Sequence, residues 1–135
     1  MAMIEPRVFV VEDDAAVRDS LQFLLESSGL SVETYPSAED FLRRCPVGAD
    51  GCVLADLRMP GMDGLDLARR VAERGWPLCM VLVTAHVDGA TRVRAQQAGV
   101  LAVLEKPLDD VALLAAVRKA MGLHCHPSPR PADCR

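Results

Sequence analysis

The chain has 135 residues, half of them apolar, a quarter charged and only 4% aromatic, proportions that suit one compact domain and exclude two. A net charge of −4 excludes a general nucleic-acid binder, because neutralising phosphates needs a basic face that this composition lacks. No apolar run approaches the roughly 18 to 20 residues of a membrane span and no signal-peptide pattern is present, so a cytoplasmic protein without membrane contact is expected.

Five apolar runs, at residues 8–11, 30–35, 52–55, 78–83 and 100–104, alternate with five segments that carry helix start and stop signals. That alternation marks βαβ units and predicts an α/β fold with a doubly wound, five-stranded parallel sheet. The third to fifth runs are continuously apolar, as expected of strands covered on both faces.

Between the first two runs, Val17, Leu21, Leu24 and Leu25 fall at helical spacing, with Gly29 placed for a left-handed cap and Asp13 or Asp14 for the N-cap. Ser37 followed by Asp40 resembles a capping box for a second helix that must stop before Pro46. The third helix follows Asp63-Gly64, buries Leu65, Ala68, Val71 and Ala72, and ends at Gly75. The fourth, over 89–98, has only Val93 and alanines for an inner face and is expected to be the least firmly anchored. The fifth starts at Asp109 or Asp110, shows Val111, Leu114, Val117 and Met121 at helical spacing, and ends at Gly122. A domain over 1–122 is thus followed by a proline-rich tail or linker over 123–135, punctuated by Pro127, Pro129 and Pro131.

The five cysteines, Cys45, Cys52, Cys79, Cys125 and Cys134, lack the paired spacing of a disulfide framework. Cys52 and Cys79 sit in apolar runs and read as small core residues. His124, Cys125 and His126 are metal-ligand types, but three adjacent residues cannot all turn onto one tetrahedral ion. Lysine is scarce, Lys106 and Lys119 standing against 13 arginines.

Ligands of open parallel sheets sit beyond the carboxyl ends of the strands. There the sequence places Glu12-Asp13-Asp14, Asp56, Thr84 and Glu105-Lys106-Pro107. Two unit charges 4 Å apart repel by about 4 kcal/mol at an effective dielectric of 20, so Glu12, Asp13 and Asp56 together need neutralising. Lys106 supplies one positive charge, and a hard divalent cation, Mg²⁺ for an all-oxygen hydrated site, supplies the rest. An anionic nucleophile, Mg²⁺, a hydroxyl and an ammonium are the parts that phosphoryl transfer requires, and a carboxylate can itself be the nucleophile. Taken alone, Thr84 is an ordinary strand-end residue and Lys106 a solvated charge. Asp56 stands out, since it follows an apolar strand and precedes the Met59-Pro60-Gly61 turn.

The segments Val10-Val11-Glu12-Asp13-Asp14, Asp56-Leu57-Arg58-Met59-Pro60-Gly61-Met62-Asp63-Gly64, Val83-Thr84-Ala85 and Glu105-Lys106-Pro107 resemble the receiver domain of bacterial two-component response regulators. The resemblance runs over residues 6–122. Ser37-Ala38-Glu39-Asp40-Phe41-Leu42 and Thr84-Ala85-His86 are similar to the FixJ-like branch, whose members often carry a helix-turn-helix output. It implies a CheY-like, flavodoxin-like three-layer (βα)5 sandwich. It implies that Asp56 accepts a phosphoryl group from a phosphohistidine of a sensor histidine kinase. Asp13, Asp56 and the Arg58 backbone carbonyl then bind Mg²⁺, Glu12 acts through a coordinated water, and Thr84 and Lys106 contact the phosphoryl oxygens. Arg58 and His86 occupy the positions that tune phosphoryl lifetime, and the small Ala85 leaves the acceptor accessible.

Val103 departs from the family, which has Tyr or Phe at this switch position; valine is too stiff and small to couple in the same way. The first expectation is a phospho-accepting switch that changes partner or self association, with a homodimer formed on phosphorylation. The alternative is a phosphorylation-independent docking module, favoured by Val103. A third, a phosphohydrolase with an aspartyl nucleophile, lacks the usual Asp-x-Asp pair and any substrate cap. The 13 residues after Gly122 are too few for a DNA-binding domain, so transcriptional output requires a domain outside this chain.

Overall fold

The computed structural model describes residues 7–122. The expectations for the tail over 123–135, and for His124, Cys125 and His126 within it, lie outside the described residues. Ten elements alternate in chain order: β1 (Arg7–Val11), α1 (Ala15–Ser27), β2 (Val32–Tyr35), α2 (Ala38–Arg44), β3 (Gly51–Asp56), α3 (Gly64–Glu73), β4 (Leu78–Thr84), α4 (Gly89–Gln97), β5 (Val100–Glu105) and α5 (Asp110–Gly122). All strand pairs are parallel and the sheet order is β2-β1-β3-β4-β5. The chain moves outward from β1 to β2 and then crosses back to β3, which leaves a crevice between the carboxyl ends of β1 and β3.

The alternation of side chains along each strand divides the core into two layers. Phe9, Val11, Val53, Ala55, Met80 and Leu82 face α2, α3 and α4, while Val8, Val10, Cys52, Leu54, Val81 and Val83 face α1 and α5. Because β3 and β4 are buried at every position, they carry no polar face and read as unbroken apolar runs. The edge strand β5 is only half-buried along most of its length, so the expectation of full cover on both sides fails there. An irregular register at Met80 and Val81 joins it to β4.

Local signals set the helix ends. Asp14, rather than Asp13, is the N-cap of α1 and accepts from the Val17 amide, and Gly29 takes the expected positive φ of 89°. Ser37 accepts from the Asp40 amide, but Asp40 does not complete a capping box. Its carboxylate is drawn to Arg43 and Arg44 at 2.7 Å each, one turn along the same helix. A reciprocal box forms instead on α3, where Asp63 and Asp66 exchange side-chain to backbone bonds. The α3 face contains Leu65, Leu67, Ala68 and Val71, with Ala72 exposed.

Two inner faces differ from those the spacing suggested. On α4 the buried residues are Thr91 and Ala95, and Val93 is 51% exposed. On α5 they are Leu113, Val117 and Ala120, and Val111 is 75% exposed. Apolar side chains occur almost all round α5, so its sequence defines no unique stripe and packing against the sheet chooses the rotation. Cys52 is a buried free thiol whose pKa is pushed up to about 12 by burial. Cys79 is buried too, but as a disulfide-bonded residue it is not the plain core thiol its neighbours implied.

The two faces of α5 give a direct test. Leu113→Ala is expected to cost about 2 to 5 kcal/mol of unfolding free energy, the range for a buried Leu truncation, whereas Val111→Ala stays within about 0.5 kcal/mol. Urea denaturation of both variants measures the difference.

Candidate functional site

Every residue singled out at a strand end lies at one edge of the sheet, because the strands are parallel and β1, β3, β4 and β5 are consecutive neighbours. Register pairs Val11 with Ala55, Asp56 with Val83, and Thr84 with Glu105. The side chains that follow these pairs therefore sit at nearly one level along the sheet.

Asp56 ends β3 and is 9% exposed. Its Oδ2 accepts from Lys106 Nζ at 2.7 Å and its Oδ1 from the Arg58 amide at 3.0 Å. Lys106 reaches across from the end of β5, past β4. The hydrogen bond to Asp56 raises its pKa, against the opposing effect of burial. The backbone at the Lys106 position is tied to the neighbouring strand by its amide, which donates to the Thr84 carbonyl at 2.8 Å. The Lys106–Pro107 peptide bond is cis.

Glu12 ends β1 and is nearly buried, at 4% exposure. Its Oε2 accepts from the Asp14 amide at 3.0 Å, and its main-chain carbonyl accepts from Arg18 Nη1 at 2.8 Å. Burial pushes its pKa up to about 7; the Asp14 amide pulls the other way, and the Asp56 charge pushes further up. Asp13 is exposed beside it. Among the described residues, no group of three His, Cys, Asp or Glu side chains is gathered into a ready metal cage. The three carboxylates thus share the edge without closing on a common point.

Thr84 is 1% exposed, and its hydroxyl turns to its own loop, donating to the His86 carbonyl at 3.3 Å and accepting from the His86 amide at 3.4 Å. It does not bond to Asp56 or Lys106. Ala85, His86 and the Arg58 side chain are exposed around the crevice. Val103, half-buried on β5, packs against the core layer under α4. Below the carboxylates the floor is apolar, built from Val17, Leu21, Leu54, Val83 and Leu108.

The model of the response regulator receiver domain matches residues 8–118. The chain belongs to the response regulator receiver family. The transcriptional regulatory protein FixJ of Azorhizobium caulinodans is 45% identical over 115 residues, 85% of this chain and 54% of FixJ. The transcriptional regulatory protein TdiR of Thauera aromatica is 41% identical over 117 residues, 87% of this chain and 52% of TdiR. Among solved structures, that of FixJ-N superposes with a TM-score of 0.80 at 34% identity, covering 88% of this chain and 95% of FixJ-N. The response regulator StyR gives 0.82 at 40% identity, covering 89% of this chain and 61% of StyR. These place the receiver in the FixJ-like branch. The chain spans about half the length of the transcriptional regulators it matches.

The spacing placed Asp56, Lys106, Glu12 and Asp13 at this edge, where the structure has them, but gave no sign of the bonds that Arg18 and Glu39 make beside it. Glu39 Oε2 accepts from the Met62 amide at 3.0 Å, across 23 residues. Only the packing of α2 beside the β3–α3 loop makes that bond.

Glu12 sets a pH dependence for the metal-free protein. Its folded pKa of about 7 lies above the ordinary value of 4.5, so the folded state holds the proton more tightly. The resulting stability is complete below pH 4.5 and is lost as pH rises to about 7,. Glu12→Gln, which keeps an acceptor for the Asp14 amide, is expected to flatten the urea midpoint across that window and raise it at neutral pH relative to wild type.

Proposed function

We propose that this receiver is a phospho-accepting switch in which Asp56 takes a phosphoryl group from a phosphohistidine of a sensor histidine kinase. The observation that carries this reading is the Asp56 carboxylate at the sheet edge with Lys106 Nζ 2.7 Å away. Asp56 is the nucleophile. One carboxylate oxygen forms the bond to phosphorus while the phosphorus–nitrogen bond of the imidazole breaks, and the electron pair of that bond stays on the imidazole.

Glu12, Asp13 and Asp56 are three carboxylates against one ammonium, and their donors are all oxygens, so they fit a hard, partly hydrated divalent cation. Asp13, Asp56 and the Arg58 carbonyl would hold Mg²⁺ directly and Glu12 through a water. The cation would neutralise charge on the equatorial phosphoryl oxygens. The open arrangement of the carboxylates agrees with a site completed by a backbone carbonyl and water.

Lys106 is placed to follow an oxygen of the acceptor as charge moves from Asp56 to the phosphoryl group. Thr84 exchanges its bonds to His86 for one to a phosphoryl oxygen, and the loop into α4 moves with it. The helix is lightly anchored, with Thr91 and Ala95 as its buried residues, so a small change at Thr84 has little packing to overcome. Arg58 and His86, exposed at the rim, govern the access of water and hence phosphoryl lifetime.

The kinase has a surface beside the acceptor. A groove of about 650 Å³ runs between α1 and the β5–α5 connection, lined by Ala16, Phe23, Leu24, Pro107 and Leu108, and Phe23 is 75% exposed. Likeness to the transcriptional regulatory proteins FixJ and TdiR supports control of transcription as the output; our reading adds a cytoplasmic location, an output domain outside this chain and a homodimer formed on phosphorylation.

Val103 favours a second reading, a docking module that keeps the fold without the switch. A valine lacks the ring that fills and vacates the space beside a moving threonine. Beryllofluoride with Mg²⁺ separates the two: the switch predicts amide NMR shifts reaching residues 93–103, whereas changes confined to the Asp56 pocket support docking alone.

Incubation with acetyl phosphate and Mg²⁺ tests phosphorylation directly. One phosphoryl adduct is expected by intact mass on wild type, none with EDTA and none on Asp56→Asn. An adduct that persists on Asp56→Asn would overturn Asp56 as the acceptor.

A further inference from the structure

The loop between β3 and α3 is held at both ends by carboxylates. At its start Asp56 Oδ1 accepts from the Arg58 amide at 3.0 Å, and the Leu57 carbonyl accepts from the Gly64 amide at 3.0 Å. Near its end the acceptor comes from another element. Glu39, in the first turn of α2, extends its carboxylate to the Met62 amide at 3.0 Å. The approach depends on Gly61, which has φ +76°, and a Cβ there would lie 2.6 Å from the same Glu39 oxygen. The missing side chain leaves the space that the carboxylate enters.

The anchorage of α2 makes Glu39 a fixed point rather than a loose surface side chain. Ala38 and Phe41, on either side of it in sequence, are fully buried, and Ser37 caps the helix by accepting from the Asp40 amide at 3.0 Å. Met59, at the middle of the loop, is buried in the same core layer. Residues 58–62 are therefore stretched between the acceptor aspartate and α2, and the carbonyl of Arg58 lies within that span.

We propose that Glu39 is a positioning residue for the acceptor site: by receiving the Met62 amide beside Gly61, it fixes the loop that carries the Arg58 carbonyl and so sets the affinity for Mg²⁺. This rests on the reading of Asp56 and its neighbours as a Mg²⁺-dependent acceptor. Glu39 acts through the backbone and touches neither cation nor phosphoryl group. Partners that orient a ligand typically change metal affinity by 10- to 100-fold when removed. For one exposed hydrogen bond the lower end of that range applies, a loss of about ten-fold.

The test compares wild type, Glu39→Ala, Glu39→Gln and Gly61→Ala by Mg²⁺ titration followed with amide NMR, by hydrogen exchange at the Met62 amide and by thermal unfolding. Glu39→Ala is expected to speed Met62 exchange and weaken Mg²⁺ binding about ten-fold. Glu39→Gln removes the charge but keeps an oxygen acceptor, and is expected to restore most of both. Gly61→Ala displaces the carboxylate and is expected to follow Glu39→Ala. Equal Mg²⁺ affinity in wild type and Glu39→Ala would overturn the proposal, and so would a lowered melting temperature with affinity unchanged. Failure of Glu39→Gln to recover affinity would overturn the hydrogen-bond mechanism in favour of simple charge. Wild type that binds no Mg²⁺ would bring down the acceptor reading and the role of Glu39 with it, a result distinct from all the others.

Discussion

The Asp56 carboxylate lies at the end of a strand buried at every position, where its oxygens need hydrogen-bond donors from the protein. Burying an unpaired carboxylate is costly, and the molecule meets that cost with two donors of different origin. The Arg58 amide comes from the turn that follows Asp56 itself, while the Lys106 ammonium comes from the end of β5, 50 residues later. The second donor requires β4 to lie between β3 and β5 in correct register. The electrostatics of one side chain thus constrain the order and alignment of three strands.

The same constraint explains why the edge remains chemically incomplete. Lys106 meets Asp56 but leaves Glu12 with a raised pKa and Asp13 in solvent. Excess negative charge is held in place by well-packed strands and capped helices, so the edge cannot relax by rearranging its backbone. The apolar floor lowers the local dielectric and strengthens each charge interaction above it.

Anchorage is uneven around the sheet. On one side Leu21, Leu25, Leu113 and Val117 from α1 and α5 fill the core layer; on the other, an aromatic group of Phe9, Tyr35, Phe41 and Trp76 packs around α2, with ring centroids between 5.2 and 6.5 Å apart. By contrast, α4 contributes a threonine and an alanine. The buried side chains of α4 are small, so little apolar packing holds this helix to the sheet,.

The sequence by itself determined the strand and helix order, most caps and the strand-end chemistry, because each rests on local features. Continuous apolar runs mark buried strands, Asp14 and Ser37 cap the helices that follow them, and Asp56 and Lys106 directly follow strand patterns. The tertiary structure decided what depends on rotation or on distant neighbours. It turned Val93 and Val111 outward, since an apolar helix or one rich in alanine offers several faces and only the sheet selects among them. It turned the Thr84 hydroxyl onto His86 through the conformation of a loop that spacing does not encode. It brought Glu39 to the Met62 amide across 23 residues, a contact that exists only once α2 is packed beside the β3–α3 loop. Local preferences act along the chain and can be read there, whereas hydrogen bonds between separate elements arise from the relative placement of bodies already folded.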